Sequence, residues 1–388
     1  MLSVMSVGKS DLSTELSFML YILREDVTLE EEEMQTYLSN IDWSKFLNLV
    51  MHHRVYPLVY IKLSKNGSRL IHENVMLKLQ QLYRKNTIKM LQLTRELGTA
   101  CKALQDNGIR SMVLKGPVLT LQLYGELSHR TSKDLDILIC SSDVEKSKEV
   151  LTQLGYRPDN TDAHLFWKKK SHHISFIHSE HSTQIEVHWR LNPEIIKSPS
   201  FEELWQNKKT MMIYDQQFNQ LGNEDLLAYL ADHGARHGWF RLRWLIDMDR
   251  LFQNQIDPSR LHNYFKLYGG RIYVEQAALL SKLLLSSKVP LEIQSLVVSE
   301  KAVELAQMAL EGIKSTDLSQ ASDPKYKRSM VSALTGKQKM YLLMKRLLPS
   351  SLDAEMLPLS KPFHFLYIPL RPFLWFWRLL RKTRFKSS

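Results

Sequence analysis

The sequence has little glycine, almost no cysteine and no long apolar run. Fourteen glycines in 388 residues leave few sites for tight turns, so a helix-rich chain is expected. Cys101 and Cys140 are the whole cysteine complement, each in an apolar context. Two such residues make no disulfide framework and fit a reducing cytosol. No stretch of roughly 20 uncharged apolar residues occurs, which argues against a transmembrane helix. The first residues are broken by Lys9, Asp11 and Glu15 and lack the apolar core of a signal peptide. A cytoplasmic location follows as the expectation. Acidic residues are missing from one segment, 361–388, which holds seven Lys/Arg and no Asp or Glu. The formal charge of +11 therefore reports mainly that tail. Outside it, 45 basic residues face 41 acidic ones. So neutral a body disfavours a long nucleic acid as partner.

What is present is helix, then a short mixed stretch, then helix again. Leu16, Met19, Leu20 and Leu23 recur at helical spacing, as do Trp43, Phe46, Leu47 and Val50. Residues 70–106 read as one long helix ending at Asn107-Gly108. The pattern then changes. Residues 111–114 form a short apolar strand, and Pro117 opens a helix running to Tyr124. Leu135, Ile137 and Ile139 make a strand, residues 143–154 a helix, and 164–168, 173–177 and 183–189 three further strands. After residue 200 the helical pattern returns. The reading gives an N-terminal helical region (1–108), an α/β core (109–200), a C-terminal helical domain (201–347), and a linker with a basic aromatic tail (348–388). The fold class is α+β: a small mixed sheet flanked by helices.

The chemistry concentrates in the core. On a strand, residues two apart share a face, so Asp134 and Asp136 project together while Leu135 and Ile137 pack the other side. Adjacent carboxylates repel, and a divalent cation removes that cost; Mg²⁺ takes oxygen ligands of this kind together with substrate phosphates. A lone Asp-x-Asp more often marks a turn or a solvated edge, so the context matters. This pair begins a strand that otherwise reads as buried. Glu186 and His188 share a face of a second strand, Gln184 to Arg190. Glu186 can supply a third carboxylate. His188 can ligate metal, orient a carboxylate, contact substrate or be a hydrogen-bonded structural residue. Gly116, ahead of a helix, lets a phosphate approach backbone N–H groups, although Pro117 removes one donor. Lys115 offers a positive charge to a triphosphate or is a solvated side chain at the strand end, and Arg130 is a phosphate fork or an exposed loop residue.

The order Leu114-Lys-Gly, a helix ending in Leu123-Tyr124, Arg130, Asp134-Leu-Asp136 and Glu186-Val-His188-Trp189 resembles the polymerase-β-type nucleotidyltransferase superfamily. It is most similar to a poorly characterised bacterial branch known as nucleotidyltransferase family proteins. Glu224-Asp-Leu-Leu-Ala-Tyr-Leu-Ala-Asp-His233, His237-Gly-Trp239 and Leu242-Arg-Trp-Leu-Ile-Asp247 share that similarity, which spans roughly residues 75–290. The resemblance implies that Asp134, Asp136 and Glu186 are the catalytic metal ligands for Mg²⁺ or Mn²⁺. It also implies that Gly116 lies at the phosphates of an NTP; from their own chemistry, Lys115, Arg130 and His188 are read as the other residues of that nucleotide site. The implied activity moves a nucleotidyl group from the NTP to an acceptor hydroxyl or phosphate on a small molecule, peptide or protein. The superfamily usually has Gly-Ser where this chain has Gly116-Pro117, and the gap from Gly116 to Asp134 is longer than is common. An inactive nucleotide- or acceptor-binding protein on the same fold is the alternative.

Other features have blander readings. His233 and His237 are four apart and can pair on a helix face, as a metal site or as cleft-lining polar residues. Trp239, Phe240 and Trp244 read as core, and Arg243 with Asp247 as an i, i+4 helix pair. His172, His173, His178 and His181 read as strand-surface and loop residues. Residues 363–385 mix Phe, Tyr and Trp with Arg and Lys. Such a segment can lie on an anionic membrane surface, or pack on the body as a C-terminal helix, with Pro369 and Pro372 breaking any single long helix.

Overall fold

The structure is a computed structural model that describes residues 12–25, 29–66, 68–159, 171–192, 197–294, 298–315, 323–348, 353 and 356–384. The strand expected at 164–168 lies outside these.

Capping chemistry sets many of the helix starts. Asp42 accepts from the N–H groups of Ser44 and Lys45 to begin Trp43–His52. Ser200 and Glu203 form a reciprocal capping box at Phe201–Gln206. Asp257 followed by Pro258 begins Pro258–Tyr268. The longest element, Glu73–Asp106, has 34 residues and stops at Asn107, with Gly108 in a left-handed conformation after it.

Among the described residues, seven strands form one mixed sheet in the order β3-β4-β5-β2-β1-β7-β6. They are β1 Ser111–Val113, β2 Asp134–Ile139, β3 Tyr156–Pro158, β4 His173–His178, β5 Gln184–His188, β6 Lys209–Ile213 and β7 Gln216–Gln220. Strands β2 and β5 at the centre run parallel; β1 pairs antiparallel with β2, and β4 antiparallel with β5. This is the α+β architecture the sequence indicated. One part differs. A return to helix was expected after residue 200, but β6 and β7 form an antiparallel hairpin there and extend the sheet through a Val113–Gln220 pairing with β1.

The sheet has two differently used faces. Leu135, Ile137, Ile139, Ile185 and Val187 pack with Met90, Leu93, Leu97 and Leu104 of the long helix and with Val150 and Leu151. The opposite face sends Met112, Leu114 and Leu138 into a second cluster. That cluster is built from the N-terminal helices and from Leu226, Leu230, Leu245, Leu251 and Leu280 of the C-terminal ones. Asp134 and Asp136 share this second face with Leu138. Val75 and Leu79 belong to the second cluster, so the long helix is common to both.

The C-terminal segment also departs from expectation. Tyr367–Arg384 is a single helix with Pro372 inside it. Pro369 sits in the first turn, where an N–H has no intrahelical partner to lose. Tyr367 and Leu374 are buried, and Arg371 pairs with buried Asp353. Phe373, Trp375, Phe376 and Trp377 are exposed. No helix among the described residues is long and apolar enough to cross a membrane.

Candidate active site

Parallel pairing of β2 with β5 builds the site. The register sets Asp136 opposite Glu186, Leu138 opposite His188, and Asp134 opposite Gln184. Side chains paired in this way point to the same face, so two carboxylates and an imidazole emerge beside one another. His188 Nε2 lies 3.0 Å from Asp136 Oδ1 and 3.5 Å from Glu186 Oε2. Gln184 Nε2 donates to Glu186 Oε1 at 3.1 Å. Asp136 and His188 are each 4% exposed, while Glu186 and Asp134 are half-buried and open to solvent. Asp136, Glu186 and His188 offer one ligand atom each, all within 4.8 Å of one another. Asp134 lies on the same face but outside this group.

Lys115 closes the site from the other side. It follows β1, and its Nζ is 4.0 Å from Asp136 Oδ2, 3.3 Å from His233 Nδ1 and 5.0 Å from the centre of the Tyr229 ring. The side chain expected to be solvated or phosphate-bound is thus largely enclosed between the sheet and the helix Asn223–Arg236. Gly116 has φ +74°, which a side chain resists, and opens the helix Pro117–Tyr124. A methyl group there would lie 3.8 Å from the Asp134 carbonyl oxygen, so this turn sits directly against the start of β2.

The charges are mutually tuned. Burial pushes the Asp136 carboxyl up, but Lys115 and the His188 hydrogen bond outweigh it and hold the group well below the usual carboxylate range. Burial, with Asp136 and Glu186 nearby, raises Asp134. Burial alone would lower His188, yet its bonds to Asp136 and Glu186 raise it. Burial lowers Lys115, against the pull of Asp136 and Asp134. The arrangement is a compact acidic centre with one ammonium and one imidazole as internal counter-charges. A divalent cation fits this donor set, because it would relieve the crowding that raises Asp134.

Arg130 is not at this centre. Read as a phosphate fork or an exposed loop residue, it is 2% exposed and gives both prongs to Asp247, Nε at 2.8 Å and Nη2 at 2.9 Å. Tyr124 Oη donates to the same carboxylate at 2.7 Å. Asp247 therefore does not pair with Arg243, which donates to the Thr131 carbonyl and hydroxyl. Loop 125–133 is pinned from behind by Asn86, which donates to the carbonyls of Ser128 and Arg130.

His172 and His173, read as surface residues, are brought to the site by the β4–β5 register that sets His173 opposite His188. The His173 Nε2 atom is 3.8 Å from Glu186 Oε2. The only sequence signal for this was the alternation of β4, which needed the hairpin register to be known. The rings of His233 and His237 are 4.8 Å apart and both pack against Trp244, His233 edge-on and His237 tilted. Among the described residues they belong to no metal-ligand group. Trp239 is fully buried, as read, and Phe240 and Trp244 are partly so.

Comparison with known proteins adds a family. Among solved structures, the chain is similar to the crystal structure of an antigenic nucleotidyltransferase-like protein from Paracoccidioides brasiliensis. Identity is 14%, coverage is 51% of this chain and 93% of that chain, and the TM-score is 0.31. No curated protein matches it. The profile of a family described as uncharacterised nucleotidyltransferase matches residues 39–286, well over half of the sequence. The chain belongs to this uncharacterised nucleotidyltransferase family.

Proposed function

We propose that the protein transfers a nucleotidyl group from an NTP to an acceptor hydroxyl or phosphate, with Mg²⁺ or Mn²⁺ held by Asp136 and Glu186 and completed by Asp134. The observation that carries this is the convergence of Asp136, Glu186 and His188 on the open face of the sheet, beside Lys115. A bound divalent ion would offset the charge that builds on the phosphates and the leaving pyrophosphate. The chain's own groups do the rest. His188 fixes the orientation of Asp136 through Nε2. Lys115 places a cation behind the carboxylates, where a phosphate chain entering past Gly116 can be met. Backbone N–H groups in the first turn after Gly116 face incoming anionic oxygens, less the one that Pro117 lacks. Glu186, the more exposed of the converging carboxylates, is the one an acceptor hydroxyl can approach as its proton leaves.

The test is incubation with each labelled NTP and Mg²⁺ or Mn²⁺, reading pyrophosphate release. Asp136→Asn and Glu186→Gln should each abolish it. Full activity in both variants would remove the mechanism, and NTP binding without pyrophosphate release would make the protein a binder on this fold.

A second reading concerns the tail and is compatible with the first. The helix Tyr367–Arg384 buries Tyr367 and Leu374 but leaves Phe373, Trp375, Phe376 and Trp377 in water. We propose that this face rests on an anionic membrane surface. The excess of Lys and Arg in 361–388 supplies the matching charge.

A further inference from the structure

Three imidazoles meet on the sheet face beside the carboxylates, and the centre described above uses only one of them. His172 precedes β4, His173 opens it, and β5 presents His188 opposite His173. One ring nitrogen from each of His172, His173 and His188 lies within 4.8 Å of the others. His172 Nε2 and His173 Nδ1 are already 3.2 Å apart. Two ligands on a tetrahedral ion bonded at about 2.0–2.1 Å stand roughly 3.3 Å apart. That pair of nitrogens already stands at the separation such an ion requires.

His188 supplies an independent observation. Its Nε2 is committed to Asp136, and its Nδ1, across the ring, is buried with no hydrogen-bond partner among the described residues. A proton on that nitrogen has nothing to accept it, and a lone pair there has nothing to receive it. Either state is costly in a ring that is 4% exposed. A cation at Nδ1 would resolve both, and the His172 and His173 rings stand with their centres 5.4 and 5.0 Å from that of His188. A histidine tied to a carboxylate through one nitrogen and ligating through the other is also the arrangement that orients imidazoles at zinc centres.

We propose that His172, His173 and His188 form a nitrogen-donor site for a borderline divalent transition ion of the zinc class, set beside the oxygen-donor centre of Asp136 and Glu186. Imidazole suits zinc, cobalt and nickel, whereas Mg²⁺ takes oxygen ligands and near-octahedral geometry. The two sites thus divide metals by donor chemistry. Any proton on a ligating nitrogen leaves to solvent when the ion binds. The inference does not depend on nucleotidyl transfer.

The test uses the full chain, stripped by chelator, then given Zn²⁺ in the presence of excess Mg²⁺ and passed through gel filtration. About one zinc per chain should remain, and X-ray absorption at the zinc edge should show three imidazole ligands. His172→Ala with His173→Ala should weaken zinc binding by about 100-fold or more. Glu186→Gln should retain zinc within about threefold of the parent. The absorption measurement needs no variant, so a folding defect in the histidine variant does not spoil the test. No retained zinc, an ion with at most one imidazole, or equal zinc loss in Glu186→Gln and the histidine variant would each overturn the proposal. Zinc retained without NTP turnover would count against transfer and leave this site standing.

Discussion

Replacing Asp247 by asparagine should lower the stability of the whole chain, and the size of the loss can be worked from its surroundings. Arg130 and Asp247 are 2% and 1% exposed. The guanidinium stays protonated in any protein environment, so it has no neutral form to retreat to. Asparagine can still accept from Arg130 Nε or from Tyr124 Oη. It removes the acceptor for Nη2, and it removes the counter-charge altogether. Among the described residues Arg130 Nη1 has no hydrogen-bond partner, so the pair has no spare bond there to fall back on. Breaking a buried pair by deleting one partner costs about 3–5 kcal/mol. At about 2 °C per kcal/mol for a chain of this size, the midpoint should fall by roughly 6–10 °C in scanning calorimetry. Arg130→Met combined with Asp247→Leu leaves no stranded charge and should recover most of that loss. If Asp247→Asn melts within about 1 °C of the parent, the pair is not what holds Arg130. The guanidinium would then be available for other work, phosphate binding included.

Three other outcomes can be checked. His53 is fully buried, accepts from the Leu242 N–H at 3.3 Å, and is pushed by burial from 6.5 to about 3. Its native pKa lies below the unfolded one, so its contribution is complete above about pH 6.5 and is lost as pH falls toward 3, at up to about 1.4 kcal/mol per pH unit. Melting temperature against pH should bend downward in that window and less so in His53→Gln; a flat profile from pH 7 to 4 would rule this out. Gly234→Ala places a methyl group into the fully buried Trp239 ring. It should destabilise by about 1–3 kcal/mol despite alanine's better helix propensity, and a urea midpoint at or above the parent's would show that the ring yields. Changing Phe373, Trp375, Phe376 and Trp377 together to serine should leave the melting point unchanged and abolish co-sedimentation with phosphatidylserine liposomes; if parent and variant both stay in the supernatant, the membrane reading is wrong.

The legible parts of the fold were those with a local period. Asp134 with Asp136 and Glu186 with His188 each announced a shared face by spacing of two, and the long apolar repeat of 73–106 announced a helix. What escaped the sequence was long-range or amphiphilically weak. Strand β7 is polar and rich in Gln, and β6 runs Lys-Thr-Met-Met-Ile with no alternation to mark it; one is an edge and the other touches β1 through a single pairing. Arg130 and Asp247 are 117 positions apart, so nothing near either residue named the other. The local option, Arg243 four residues away on one helix, was the wrong partner. His172 and His173 needed the β4–β5 register, which the turn between those strands fixes and composition does not. Pro372 was read as a stop, yet the helix continues through it.

The helix Glu73–Asp106 has a mechanical consequence. Its 34 residues span about 50 Å, and both ends are clamped, Val75 and Leu79 in one core and Met90 to Leu104 in the other. It acts as a rod without a joint. Prising the sheet away from the helices to admit a large acceptor would mean bending that rod or unseating one clamp. Asp134, His173 and Glu186 are only half-buried, so reaching them does not require the rod to move. The rod also fixes a length. One residue inserted near Asn86, between the clamps, would turn one set of anchor side chains by about 100° relative to the other and advance it by about 1.5 Å. No repacking confined to a single core could absorb that, so the middle of this exposed-looking helix should tolerate substitution far better than insertion.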